Sequence, residues 1–337
     1  MRKLFINLVL FSLLSVTALK AQDPHFSQYF ASPLTLNPAM GGYFDGDYRF
    51  SANFRQQWWA AGAPFVTSTA SYDTKLMPTK IPEHDIFSVG VLGLYDQSLS
   101  GGFKSVNVSA NVSYNRSLNE DGQNNFAIGF QAGYASRSIN YSDLDFATQF
   151  NGSGFDTNLP SYETFGSLRR SYFDINAGLL YAYKTDNTEV YAGASIFHIG
   201  NPNISFLKDQ RYRLPSRYTL HAGSRFVVGD NGNELFLGGL YMYQAGATEK
   251  NIGIAYGLNV SDEATVYAGS WYRVGDAILP YVGLRYNGFQ VGFSYDVITT
   301  ALKNYGTKKN GSFELSMNLL VTRPRNVYTN YKGGRIF

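Results

Sequence analysis

Long segments of this chain alternate between apolar residues and small or polar ones. In residues 105–115, Val106, Val108, Val112 and Tyr114 share one side, and Ser and Asn residues occupy the other. This period of two is typical of a β-strand, whose successive side chains point to opposite faces. Soluble strands average roughly 5–6 residues, but these segments reach about ten residues, as a tilted membrane-crossing strand requires. The pattern predicts an all-β fold, an outer-membrane antiparallel β-barrel.

The connections between these segments support the same fold. We predict about fourteen strands between residues 47 and 322, and an even number is typical of bacterial barrels. Tight turns such as Asp121-Gly122 and Asn287-Gly288 follow even-numbered strands. The long connections, at 138–170, 200–212 and 299–310, all follow odd-numbered strands. Short turns at one end and long loops at the other predict that both termini face the periplasm. Only the longer connection 77–85 departs from this pattern.

Composition is consistent with a barrel and excludes several other classes of protein. The chain has 34 glycines, only 16% charged residues and a mean hydropathy of −0.20, which is too polar for a bundle of membrane helices. The absence of cysteine excludes disulfides, thiolate metal sites and a cysteine nucleophile. The formal net charge of +3 is too small and too dispersed to indicate a nucleic-acid partner.

The region before the first strand contains two segments of different character. Residues 1–21 have a basic start and an apolar stretch, which predicts a cleaved signal peptide. Residues 22–46 follow no period but carry Phe26, Tyr29 and Phe30, so they are too apolar for a solvated tail. We expect this N-terminal plug-like segment to pack in or under the barrel, with a disordered tail as the alternative. The predicted domains are then 1–21, 22–46, a transmembrane barrel over 47–322 and a periplasmic tail over 323–337.

Two sets of motifs stand out, one in the N-terminal segment and one on the strands. The first comprises Asp23, Pro24, Phe26, Ser27, Gln28, Tyr29, Asn37, Pro38 and Ala39. The second comprises Arg55, Gln57, Trp58, Tyr72, Asp73, Trp271, Arg273, Asp276, Tyr295, Asp296 and Glu314. Together they resemble the PorP/SprF family of type IX secretion system membrane proteins of Bacteroidota. The chain departs from the family by running on past Pro324-Arg325, which leaves the role of its tail open.

This resemblance implies a non-enzymatic outer-membrane component of the type IX secretion system. Such a protein assists the secretion or surface anchoring of large secreted proteins, including gliding adhesins, and contacts periplasmic secretion-system proteins. The implied partners are outer-membrane lipid, a secreted surface protein on the extracellular side and periplasmic proteins, with no nucleic acid and no cofactor. The first motif set is then a candidate partner or plug site, and the second a candidate barrel site.

Other functions remain open at this point. An outer-membrane transport barrel for small or hydrophobic solutes, similar to fatty-acid transporters, has the same plan but should have a hydrophobic lumen pocket. The predicted lumen faces here are mostly Gly, Ser and Asn. A membrane-embedded hydrolase requires a serine beside a histidine such as His221. A surface calcium site would draw on Asp143, Asp145 and Asp156. The expected internal polar network comprises Arg273, Asp276, Arg285, Asp296 and Glu314.

Overall fold

The computed structural model describes residues 23–58, 64–77, 80–156, 158–163, 166–207, 209, 211–300 and 311–322. The predicted signal peptide and the predicted tail lie outside the described residues. Within the described ranges, no helix is long and apolar enough to cross a membrane.

Fourteen antiparallel strands close into one barrel in which neighbours in sequence are neighbours in the sheet. They are β1 (Tyr48–Gln57), β2 (Phe65–Leu76), β3 (Ile86–Ser98), β4 (Phe103–Ser117), β5 (Asn124–Asn140), β6 (Ser167–Lys184), β7 (Thr188–Phe197), β8 (Arg217–Val228), β9 (Asn233–Gln244), β10 (Ala247–Ser261), β11 (Ala264–Arg273), β12 (Ala277–Tyr286), β13 (Phe289–Ile298) and β14 (Ser312–Val321). The barrel closes where β1 pairs with β14, in a register that places Arg55 opposite Glu314. The predicted outer-membrane type of barrel is confirmed.

The two ends of the barrel differ in their connections. Tight turns dominate one end, hereafter the turn end, and the opposite end, hereafter the loop end, carries the long connections after β5 and β7. The second of these loops extends to residue 216, four residues beyond the expected range, because Pro215 has no N–H for a strand ladder. The loop end also contains tight hairpins. One joins β9 and β10, where Ala245 and Gly246 have φ values of 55° and 88°, and another joins β11 and β12 through three residues.

Each strand directs its small and polar residues into the lumen. On β1, Ser51 and Asn53 are buried, whereas Phe50 and Phe54 are exposed on the outer face. The outer faces of the other strands carry similar rows of exposed aliphatic and aromatic side chains. This alternation presents an apolar belt to lipid and leaves a polar interior that requires hydrogen-bond partners.

The lumen is occupied by residues 23–46, hereafter the lumen segment. It begins at the loop end, where the Asp23 amide donates to Gln244 Oε1 (2.8 Å), and reaches the turn end just before β1. It contains one short helix, α1 (Pro33–Leu36), followed by a 3₁₀ turn (Pro38–Met40). Leu34 and Ala39 are almost completely buried. The structure therefore confirms that the N-terminal segment packs inside the barrel.

Glycines of the barrel wall provide the space for this segment. A Cβ at Gly129 would overlap the Ala39 amide nitrogen, and a Cβ at Gly178 would overlap Asn37 Oδ1. Both glycines face the lumen, on β5 and β6. The close approach of the segment, by its backbone at Gly129 and by the Asn37 side chain at Gly178, therefore requires glycine at these positions.

Candidate functional site

Four lumen-facing charged side chains, each from a different strand, meet near the loop end. Arg55 Nη2 lies 2.9 Å from Asp296 Oδ2, and Arg273 Nη2 lies 3.0 Å from the same oxygen. Glu314 Oε2 lies 4.0 Å from Arg55 Nε. All four side chains are buried. We call Arg55, Arg273, Asp296 and Glu314 the loop-end ion cluster.

The loop-end ion cluster binds the backbone of the lumen segment. Glu314 accepts hydrogen bonds from the amide of Ser27 (2.7 Å) and from that of Gln28 (2.8 Å). Arg273 donates to Ser27 Oγ (2.6 Å), which donates in turn to Asp296 Oδ1 (3.1 Å). Hydrogen bonds to charged groups are strong in a water-poor interior. The segment and the wall therefore satisfy each other's buried polar groups.

Two amide side chains fix the position of the segment along the lumen. Gln28 Nε2 donates to Ser294 Oγ (3.0 Å), and Gln28 Oε1 accepts from Ser316 Oγ (2.6 Å). Farther along, Asn37 Nδ2 lies 2.9 Å from His221 Nε2 on β8. Because an amide both donates and accepts, a shift of the segment along the wall would break both sets of bonds.

Asp23 anchors the start of the segment through a histidine that the sequence analysis missed. His198 Nε2 lies 2.6 Å from Asp23 Oδ2, and His198 Nδ1 lies 2.9 Å from Asp174 Oδ2. Arg217 Nη1 is 3.4 Å from Asp23 Oδ2. Burial alone would lower the pKa of His198, but the two carboxylates outweigh it and raise the pKa to about 9. At neutral pH this histidine is a cation between two carboxylates.

A second ion pair holds the other end of the segment, at the turn end. Arg49 forms two hydrogen bonds to Asp73, from Nε (2.9 Å) and Nη2 (2.8 Å). The Gly42 amide donates to Asp73 Oδ2 (2.8 Å), and Arg49 also donates to the Met40 carbonyl (3.0 Å). The same combination of a wall ion pair and a segment backbone therefore occurs at both ends of the lumen.

Aromatic rings occupy one sector of the lumen between these anchors. Phe30 of the segment stacks on Trp271 of β11, with ring centroids 4.9 Å apart, and Tyr281 meets Trp271 edge-on at 5.4 Å. A cavity of ≈240 Å³ lies beside them. The expectation of lumen faces lined mostly by Gly, Ser and Asn is wrong in this sector. The rings fit because Gly253, beside Trp271 on β10, has no side chain.

The other predicted site residues lie in several places. Tyr72 and Tyr295 belong to the outer face, where Tyr72 packs on Phe50 (4.8 Å). Trp58 follows the end of β1, is partly exposed and meets Phe65 edge-on (5.3 Å). Asp276 is half-exposed and lies 2.8 Å from Arg273 Nη1. The remaining ones are Gln57, which is partly buried at the end of β1, and Pro24, Phe26, Tyr29, Pro38 and Ala39, which belong to the lumen segment.

The alternation of side chains along the strands could have identified some of the site residues that the sequence analysis missed. Arg49, Asp174 and Arg217 occupy lumen-facing strand positions, where an ion must find a partner. His198 follows the end of β7 and carries no periodic pattern that would identify it.

A hydrolase site requires a serine hydrogen-bonded to a histidine, and a metal site requires several converging ligands. His221 contacts Asn37 through Nε2, and its Nδ1 has no hydrogen-bond partner among the described residues, so neither nitrogen is bonded to a described serine. Across the described part of the chain, no three His, Asp or Glu side chains converge as a metal site requires, and Asp143, Asp145 and Asp156 form no such group.

A closed barrel of fourteen strands with its own N-terminal segment bound in the lumen is typical of an outer-membrane protein. The family described as "Type IX secretion system membrane protein PorP/SprF" matches residues 18–319, nearly the whole chain. The chain belongs to this family, which confirms the resemblance seen in its motifs. Fold and family both support an outer-membrane location. A search of curated proteins gave no match.

A comparison with solved structures found matches to most of this chain. A FadL homologue from Pseudomonas aeruginosa has a TM-score of 0.50 at 12% identity, with 84% of this chain and 92% of that chain covered. The toluene transporter TbuX from Ralstonia pickettii has a TM-score of 0.48 at 12% identity, with 86% and 94% covered. At this level of identity the likeness concerns the fold alone.

Removal of the Glu314 carboxylate should destabilise the barrel far more than removal of the Asp276 carboxylate. Glu314→Ala leaves the amides of Ser27 and Gln28 buried without an acceptor and removes one of the two carboxylates beside Arg55, a loss of roughly 3–5 kcal/mol. Asp276→Ala removes a half-exposed partner of Arg273 and should cost under about 1 kcal/mol. Chemical denaturation in detergent, followed by tryptophan fluorescence, measures both free energies of unfolding. Equal losses would contradict the role assigned to Glu314.

The contact between Asp23 and His198 should weaken at alkaline pH. The pKa of His198 is raised from its usual 6.5 to about 9, so the folded state holds this proton more tightly than the unfolded chain. Its stabilisation is complete below about pH 6.5 and is lost as the pH rises through about 9. The Tm should therefore fall between these two values, and His198→Gln should flatten the fall. An unaltered pH profile in His198→Gln would assign the effect to another group.

Proposed function

We propose that this protein is a non-enzymatic component of the type IX secretion apparatus that helps to secrete large surface proteins, such as gliding adhesins, or anchors them at the cell surface. The observation that carries the proposal is the filled lumen, because an ion-paired segment runs through it from the loop end to the turn end. Partners then bind the surfaces at the two ends of the barrel. Membership of the PorP/SprF family supports a role in the type IX secretion system.

The same proposal assigns an orientation to the barrel in the membrane and a role to each segment of the chain. The loop end faces the extracellular side, and the turn end faces the periplasm and its secretion-system proteins. Residues 1–21 are the cleaved signal peptide, residues 22–46 the plug, residues 47–322 the barrel and residues 323–337 a periplasmic tail. The lumen-facing members of the two motif sets act together, because they hold the plug in the lumen.

Exposed apolar side chains at the loop end support a protein partner on that side. Phe150 and Phe155 are 52% and 54% exposed and meet edge-on, with ring centroids 5.4 Å apart. Tyr162 of the same loop is 80% exposed, and Leu207 of the next long loop is 70% exposed. Aromatic residues are enriched at the centres of protein interfaces.

Transport of a small hydrophobic solute is a second candidate, and one observation favours it. The aromatic cavity of ≈240 Å³ beside Trp271 provides an apolar space inside the barrel, and a FadL homologue has a similar fold. Passage through the lumen would require the lumen segment to leave its contacts with the loop-end ion cluster. We therefore place this candidate second.

Surface display in cells tests the first candidate. A strain without the gene should lose the secreted protein from its surface, and the wild-type gene should restore it. Phe150→Ser combined with Phe155→Ser should weaken retention by roughly tenfold, the loss of about 1.4 kcal/mol at an aromatic contact. The matched control is Leu118→Ser, because Leu118 is 57% exposed but lies at the turn end. It should leave retention unchanged.

Two outcomes would contradict the first candidate. One is a deletion strain in which every surface protein is still exported and retained. The other is normal display accompanied by uptake of a hydrophobic solute into vesicles that contain the purified barrel, which would favour transport.

A further inference from the structure

A wide cavity opens at the turn end, below the lumen segment. Its volume is ≈1210 Å³, and we call it the turn-end vestibule. The acids that line it are Asp45, Asp47, Glu83, Asp85, Asp121, Asp186 and Glu189, and the bases are Lys75, Lys184 and Arg225. Among the described residues, seven carboxylates and three cations line the vestibule, and Arg116 outside the lining pairs with Asp85 (2.9 Å). The remaining excess of carboxylates gives the vestibule a negative potential at neutral pH, which attracts a cationic occupant.

Of the carboxylates that line the vestibule, those at its mouth are exposed and can pair with an entering cation. Lys184 and Arg225 are each engaged with a carboxylate of the vestibule. The Glu83 side chain is 90% exposed, and Asp121 and Asp186 lie exposed in turns between strands. A basic segment that enters the vestibule would therefore pass three exposed carboxylates.

The chain itself leaves the barrel at the lip of this vestibule. The Asp47 amide donates to the Val321 carbonyl (2.8 Å), and Gly46 lies against the same carbonyl. The residues that follow β14, 323–337, include four bases and no Asp or Glu. The bases are Arg323, Arg325, Lys332 and Arg335. An extended segment of this length reaches up to roughly 50 Å, far more than the width of a cavity of this volume.

The inner end of the vestibule suits the aromatic residues of the same segment. Tyr43 and Phe236 line both the vestibule and the aromatic cavity, so the two spaces adjoin. In the aromatic cavity, Tyr29 Oη and Trp271 Nε1 are buried, and neither atom has a hydrogen-bond partner of good geometry among the described residues. A tyrosine hydroxyl or a peptide carbonyl would provide one. The aromatic residues of the segment are Tyr328, Tyr331 and Phe337.

We propose that residues 323–337 of this chain fold back and dock in the turn-end vestibule. Their basic side chains pair with the carboxylates at the mouth, and an aromatic side chain occupies the inner cavity. The docked segment covers the turn end of the barrel below the lumen segment. A protein that binds the turn end must then displace the segment or bind the surface that it completes. This inference does not depend on the role in secretion.

Photo-crosslinking of the full-length protein tests the docking directly. A benzophenone amino acid replaces Tyr331, and the purified protein is irradiated in detergent at a dilution where contacts between barrels are negligible. Mass spectrometry should locate crosslinks within the same chain, at the connection 77–85 and at the turns that contain Asp121 and Asp186. Raising the salt to about 1 M, where the Debye length is about 3 Å, should reduce the yield several-fold.

Charge reversal supplies the matched controls. Glu83→Lys, Asp121→Lys and Asp186→Lys together should lower the crosslink yield several-fold. Reversal of the four basic residues of the segment to Glu should restore it in that background. The same three-residue reversal at Asp143, Asp145 and Asp156, which lie in a loop at the other end of the barrel, should leave the yield unchanged.

Three results would overturn the proposal. The first is crosslinking confined to other molecules, which would mean that the segment serves a partner and not the vestibule. The second is a yield that is insensitive both to salt and to reversal at the mouth. The third is equal loss from both reversal sets, which would reflect a general change in charge.

Discussion

The structure depends on the Glu314 carboxylate, which lies inside a closed barrel and binds two backbone amides of the lumen segment. A carboxylate is tolerated in such a place only when it is paired and hydrogen-bonded. Arg55 supplies the charge, and Ser27 and Gln28 supply the hydrogen bonds. The segment depends on Glu314 in return, because buried amides must also find acceptors. Wall and segment therefore form one interdependent core, with an equivalent arrangement around Asp73 at the turn end.

Much of this architecture could be predicted because a barrel strand obeys a period of two. Alternation predicted the strands and turns, and it placed Arg273, Asp296 and Glu314 on the lumen face. It could not show which lumen charges meet, because that depends on the tilt and register of the closed barrel. His198 follows β7 and belongs to no period. The stacking of Phe30 on Trp271 could not be predicted either, because it depends on the space that Gly253 of the neighbouring strand leaves open.

A filled lumen changes what a barrel of this size can do. Fourteen strands could surround a wide path, but here the segment, its ion pairs and the aromatic sector occupy much of the interior. The family places the protein in type IX secretion, and the proposed role uses the surfaces at the two ends. Exposed aromatic residues mark the loop end, and an acidic vestibule marks the turn end. A rigid core that joins two such surfaces suits a docking body for other proteins.

Disulfide trapping of the lumen segment tests the central claim most directly, because the chain has no cysteine of its own. Ser32 Oγ of the segment and Thr69 Oγ1 of β2 are 3.4 Å apart, and cysteine sulfurs would take the places of these two oxygens. Ser32→Cys with Thr69→Cys should form a disulfide in outer membranes under mild oxidation. Ser32→Cys with Thr265→Cys, whose second site faces the lumen from β11, should form none. Absence of the first disulfide, or equal formation of both, would contradict a segment held in one position inside the barrel.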